Sequence, residues 1–120
     1  MTETFSLEQA QATLAQLRPA IDELIAVRAD VAELGAAVQG AGTSSLGGLA
    51  ELKAAQARLD ELLSSIVEAR AEVKGIAPLL IDFPSRRGGE DVLLCWLEGD
   101  DEIAWYHRVD LGFAGRRRLP

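Results

Sequence analysis

Leu52, Leu59, Ile66 and Val73 recur at seven-residue intervals, with Ala55, Leu62 and Ala69 at the partner position of the repeat. Such a repeat fits an α-helix that buries one stripe against a neighbouring helix, and small residues at one seam position let the two approach closely. The partner lies upstream. Leu17, Leu24, Val31 and Val38 keep the same interval, and Leu14 and Ile21 fill the second seam position until Arg28 and Gly35 interrupt it. Ala20, Val27 and Leu34 widen that stripe, so more than one element is expected to pack on the first helix. Ser6-Leu7-Glu8-Gln9 matches a capping box and sets the helix start at Leu7. Pro19 lies inside the pattern, where a proline costs about 3 kcal/mol in an ideal helix interior. The seven-residue register runs through it unbroken, which favours one kinked helix over a short helix followed by a second that begins at Pro19.

Gln39 to Gly48 is rich in Gly and Ser and reads as the turn of a helical hairpin. No strand precedes it and no Lys-Ser/Thr follows, so a plain loop is favoured over a phosphate cradle. Glu51, Asp60, Glu61, Glu68 and Glu72, with Lys53, Arg58 and Arg70, form the solvated face of the second helix. Gly75 is a natural helix stop, which puts the helical hairpin at about residues 6–74.

The remainder, about residues 76–120, has strand character. Leu79 to Phe83 reads as a short edge strand or extended segment, because Pro84 cannot donate to a ladder, and Ser85 to Asp91 as an exposed loop. Val92 to Leu97 and Ile103 to Val109 form a β-hairpin across Glu98-Gly99-Asp100-Asp101-Glu102. In an even register Leu93, Cys95 and Leu97 share a face with Ile103, Trp105 and His107, while Leu94 and Trp96 share the other with Ala104 and Tyr106. Both faces are apolar, so both are expected to be covered, one by the helices and the other by the C-terminal tail, a third strand or a second subunit. The expected fold is α+β: a long antiparallel helical hairpin followed by a small C-terminal antiparallel β-unit, within one domain of 120 residues.

Charge and composition narrow the partners. A formal net charge of -7 with 48% apolar residues argues against a phosphate-backbone partner, and the adjacent Arg86 and Arg87 are too few to make a nucleic-acid patch. The single cysteine cannot close an internal disulfide, which favours the cytoplasm. The N-terminus lacks a basic region followed by an apolar run, and no apolar stretch is long enough for a bilayer, so neither export nor membrane insertion is expected.

Val92 to Arg116 collects the only cysteine, the only histidine, both tryptophans and the only tyrosine. Cys95 and His107 are expected to meet across adjacent strands, as a buried cysteine beside a hydrogen-bonded histidine or, less simply, as a thiol and base. Structural zinc needs four protein ligands, and Asp82, Glu102 and Asp110 follow no metal-ligand spacing, so neither metal nor cofactor is expected. Trp96, Trp105, Tyr106 and Phe113 read as core or interface residues. Gly112-Phe113-Ala114-Gly115 allows a tight turn that docks Phe113 and fixes Arg116 beside the sheet. Arg116 then either pairs with Asp110 or Asp82, or binds a small carboxylate or phosphate ligand, while Arg117 and Arg118 fray into solvent. The candidate ligand-binding set is therefore Cys95, His107, Asp110 and Arg116.

Leu94-Cys95-Trp96, the turn at Gly99-Asp100, Ile103, Tyr106-His107 and Gly112-Phe113-Ala114-Gly115-Arg116 resemble the C-terminal signature of a prokaryotic family, the domain of unknown function 2203. Phe5 to Ala10, Leu17-Arg18-Pro19 and Asp82-Phe83-Pro84 extend the resemblance over nearly the whole chain, although Tyr106 stands before the histidine where family members more often have Trp. The resemblance implies a helical hairpin with a C-terminal β-unit and brings no activity with it. The expected function is non-enzymatic, self-association or protein interaction through the coiled-coil-like hairpin, giving a homo-oligomer or a complex with another protein. The alternative is a small-ligand or metal-binding protein, or an enzyme, with its site at the β-hairpin and tail.

Overall fold

In the computed structural model, which describes residues 3–120, two α-helices precede a five-stranded antiparallel sheet. Helix α1 spans Leu7–Gln39 and α2 spans Leu49–Glu68. The capping box forms as the sequence predicts: Gln9 N–H donates to Ser6 Oγ at 3.0 Å, and Ser6 N–H donates to Gln9 Oε1 at 2.9 Å. Pro19 lies inside one continuous helix, so no second helix begins there. Glu51 caps the start of α2, accepting the Gly48 N–H at 2.9 Å. Among the described residues no helix is long and apolar enough to cross a membrane.

The chain divides into two compact units. One is Leu17–Ser65, the larger part of the helical hairpin. Leu17, Ile21, Leu24 and Leu34 of α1 and Leu62 of α2 are buried there, as the seven-residue spacing requires, and Arg58 of α2 bridges to Glu23 of α1 through two hydrogen bonds. That exposed pair adds little stability.

The other unit joins the chain up to Gln16 with Ile66–Pro120. Here α2 ends at Glu68, short of the expected 74, because Arg70 takes a left-handed conformation with φ of 71°. The backbone N–H groups of Ala69 and Arg70 cap the carbonyls of Ile66 and Val67, and Arg70 forms an ion pair with Glu3. Glu72–Ile76 is already strand β1, so Val73 continues the heptad spacing without being helical.

The sheet is a meander in the order β1-β2-β3-β4-β5, with β2 at Leu79–Arg87, β3 at Glu90–Leu97, β4 at Trp105–Arg108 and β5 at Arg117–Arg118. Two expectations fail here. The segment around Phe83 is not an edge strand, and Ser85 to Asp91 is not a loop: β2 is a nine-residue interior strand turning into β3 through Gly88-Gly89, whose φ angles of 57° and 81° suit a tight two-residue hairpin. Pro84 fits because the β1 ladder stops at Asp82, so its missing donor faces no strand partner, and its carbonyl accepts the Phe5 N–H at 2.7 Å. The third correction is the tail, where Arg117 and Arg118 pair with Tyr106 and Trp105 as β5.

The even register of the β3–β4 hairpin is as expected, with Leu93 opposite His107, Leu94 opposite Tyr106 and Cys95 opposite Trp105. The inner face carries Ile81, Phe83, Leu94 and Trp96, all nearly inaccessible to solvent. Phe5 packs edge-on against Phe83 with ring centroids 5.4 Å apart, and Ala10 and Leu14 of the first helical turns are buried in the same unit. The Gln11 side chain clamps Ile103 by both backbone groups, donating to its carbonyl and accepting its N–H, each at 3.0 Å.

Candidate functional site

The outer face of the sheet follows from the same alternation: Leu80 and Asp82 on β2, Leu93 and Cys95 on β3, Trp105 and His107 on β4. Asp82 lies directly opposite Cys95, and His107 directly opposite Leu93, so the aspartate and histidine reach each other diagonally across β3. His107 Nε2 is 3.2 Å from Asp82 Oδ2, and the two residues are only 4% and 1% exposed. His107 Nδ1 lies 2.9 Å from the Arg108 carbonyl, which can only accept, so Nδ1 carries a proton.

Asp82 is the unusual member. Burial pushes its carboxyl above the usual carboxylate range, and the interactions with His107 and Cys95 offset that only in part. Its Oδ1 is buried with no hydrogen-bond partner. Buried polar atoms nearly always find a partner, since leaving one unmade costs about 1–3 kcal/mol. The neighbouring Cys95 thiol, a weak donor, is itself 1% exposed, and its pKa is pushed up to about 12 by burial and by the Asp82 charge beside it. A thiol so placed stays protonated at neutral pH and is shielded from solutes, which makes it a poor nucleophile.

Asp82 and His107 form part of the wall of a cleft of about 390 Å³. Leu80, Leu93, Val109 and Phe113 supply its apolar surface, and Lys74 and Asp110 its charged groups. Glu72 holds Lys74 at 2.9 Å and raises its pKa, keeping the ammonium charged. Lys74, Leu93 and Val109 also border a wider groove of about 840 Å³ that runs toward Glu3 and Arg86.

The predicted residues thus scatter less than their spacing suggests. Cys95 and His107 share one face through Asp82, and Asp110 lines the cleft but pairs with Arg108 at 2.8 Å rather than with Arg116. The Arg116 guanidinium is held between Trp105 and Phe113, 4.5 Å and 4.3 Å from their ring centroids, and its charge favours the Cys95 thiolate only weakly. Among the described residues no group of three or more His, Cys, Asp or Glu side chains converges to hold a metal ion. Sequence reasoning treats Asp82 as a spare acid. The available signal is its setting, an acid inside the apolar run Leu79-Leu80-Ile81-Asp82-Phe83, where an uncompensated charge has to be explained.

A family model described as an uncharacterized conserved protein, DUF2203, matches residues 3–119. No curated protein and no solved structure matches the chain.

Proposed function

The chain belongs to the DUF2203 family of uncharacterized conserved proteins, and on that footing we propose that it binds a small molecule in the cleft on the outer face of its sheet. The observation that carries this reading is Asp82 Oδ1, a buried acceptor with no partner beyond the weak thiol donor of Cys95, on a residue that lines that cleft. The favoured ligand is neutral or cationic. It offers an N–H to the Asp82–His107 pair and an apolar body to Leu80, Leu93 and Phe113. The cleft volume of about 390 Å³ falls within the usual span of small-molecule sites, about 300–1,000 Å³. Titration with alkylamines, amidines and aromatic amides, followed by amide chemical shifts, should give saturable changes at Leu80, Leu93, Val109 and Phe113. Asp82→Asn keeps the acceptor but loses the carboxyl charge, so it should weaken the binding of a cationic ligand roughly tenfold while the fold persists. Binding that never saturates, or cationic-ligand binding that Asp82→Asn leaves unchanged, overturns the proposal.

We also propose that the helical hairpin self-associates as a coiled coil with a second copy of the chain, in a reducing, cytoplasmic setting that suits its lone buried thiol. Leu46 and Leu49 support this, 39% and 54% exposed at the loop end of a seam whose distal positions Val31, Val38, Leu52 and Leu59 are only half-buried. Sedimentation of the wild type should show a concentration-dependent dimer that Leu49→Glu and Leu59→Glu weaken. A strict monomer at every concentration rejects it.

A further inference from the structure

The tail that forms β5 brings together arginines that lie far apart in the sequence. Arg117 is the register partner of Tyr106, and both line a cavity of about 210 Å³ with Arg87 from the end of β2 and Arg108 from the end of β4. In a chain of net charge -7 this is a local excess of positive charge, and one carboxylate, Glu90, is also in the lining. Arg108 is already engaged by Asp110 at 2.8 Å. Arg87 and Arg117 have no carboxylate within ion-pair distance among the described residues.

The Arg87 guanidinium lies over the Tyr106 ring, 4.8 Å from its centroid. Stacking occupies the face of the guanidinium and leaves its N–H donors directed outward in the plane, the geometry that grips two oxygens of one anion. A second unpaired arginine, held on the edge strand by its backbone ladder, supplies the opposing donors. From this we infer that Arg87, Arg117 and Tyr106 build a second binding site, for the oxyanion of a small soluble molecule, a phosphate or carboxylate group. His107 and Leu111 line both this cavity and the Asp82 cleft, but the groups that grip the ligand here are arginines and the ligand is an anion. The cavity is the size of a headgroup rather than of a polymer, and Glu90 disfavours an extended anionic surface.

The test is calorimetric titration of the intact chain with inorganic phosphate, pyrophosphate and citrate. The expected result is saturable binding of at least one of them at low-millimolar concentration. Arg87→Gln and Arg117→Gln should each weaken it roughly tenfold. Glu90→Gln should tighten it, because it removes the one repelling charge in the lining. Lys53→Gln, on the solvated face of α2, changes the net charge as much as either arginine variant and should leave binding unaltered. Circular dichroism confirms that each variant is folded. Absence of saturable binding overturns the site, and so does a Lys53→Gln effect equal to that of Arg117→Gln, which would mean attraction by bulk charge. Vesicles of anionic lipid, compared with phosphatidylcholine alone, form the last arm. Retention on the anionic vesicles without binding of any soluble oxyanion overturns the small-molecule assignment in favour of a lipid headgroup.

Discussion

Trp96→Ala is expected to remove about 3–5 kcal/mol of folding stability. Small domains hold about 5–15 kcal/mol in total, so this single change should remove a large fraction of the stability. Trp96 is 1% exposed, faces inward on β3 opposite Ile81, and is among the largest fully buried side chains. It also has a polar role. Its Nε1–H donates to the Asp100 carbonyl at 2.9 Å, while Asp100 Oδ2 accepts the Leu97 N–H at 3.1 Å, so the indole helps close the turn that leads to β4. Trp96→Phe separates the two contributions: it keeps most of the apolar bulk, forfeits the hydrogen bond, and should cost only about 1–2 kcal/mol. Urea unfolding followed by far-ultraviolet circular dichroism measures both. A Trp96→Ala variant that loses less than its phenylalanine counterpart would show that the inner face is not the core.

The second large effect concerns Asp82, where two substitutions should diverge. Asp82→Ala strips His107 of its partner and opens a hole beside Cys95, an expected loss of about 3 kcal/mol. Asp82→Asn keeps a donor for Nε2 and an acceptor at the other atom without burying a charge, so at neutral pH it should be as stable as the wild type or more so. The pH dependence gives the sign. Burial raises the Asp82 pKa in the fold, so between its ordinary value and the raised one the folded chain holds more protons than the unfolded chain. Wild-type stability therefore falls as pH rises through that window and levels off above it, whereas Asp82→Asn lacks this component. Urea midpoints of both proteins, taken from about pH 4 to about pH 8, should show the variant's relative advantage growing with pH. Parallel curves, or an advantage that shrinks, would mean that burial does not dominate at this carboxyl.

Much of the helical hairpin and half of the sheet were legible from local chemistry. Ser6 and Gln9 announce their own cap, and the alternation from Leu93 to His107 carries its register because a one-residue slip would turn every side chain to the wrong face. The misreadings came where long-range pairing overrode local preference. No glycine marks the end of α2; Arg70 adopts the left-handed turn, and Val73 falls on the heptad by coincidence. Pro84 argues for an edge only if the neighbouring strand runs past it, and β1 does not. The arginines of the tail look solvated until a partner strand is known, and that partner, β4, is itself only four residues long. In the candidate site, Cys95 and His107 were visible as rare residues, whereas the aspartate joining them comes from a strand that the proline had demoted.

The clamp of Gln11 on Ile103 joins residues 92 apart in the chain, and this sets an order in time. During synthesis Leu17–Ser65, a compact unit in itself, is complete long before Ile103 leaves the ribosome. The first helical turns, with buried Ala10 and Leu14, wait for their partners. At about 5–20 residues per second the delay is on the order of 5–20 s, during which an apolar helix end stands uncovered. A chain stalled before Ile103 therefore leaves the ribosome with Gln11 lacking the backbone groups it clamps, and with that helix end open to other molecules.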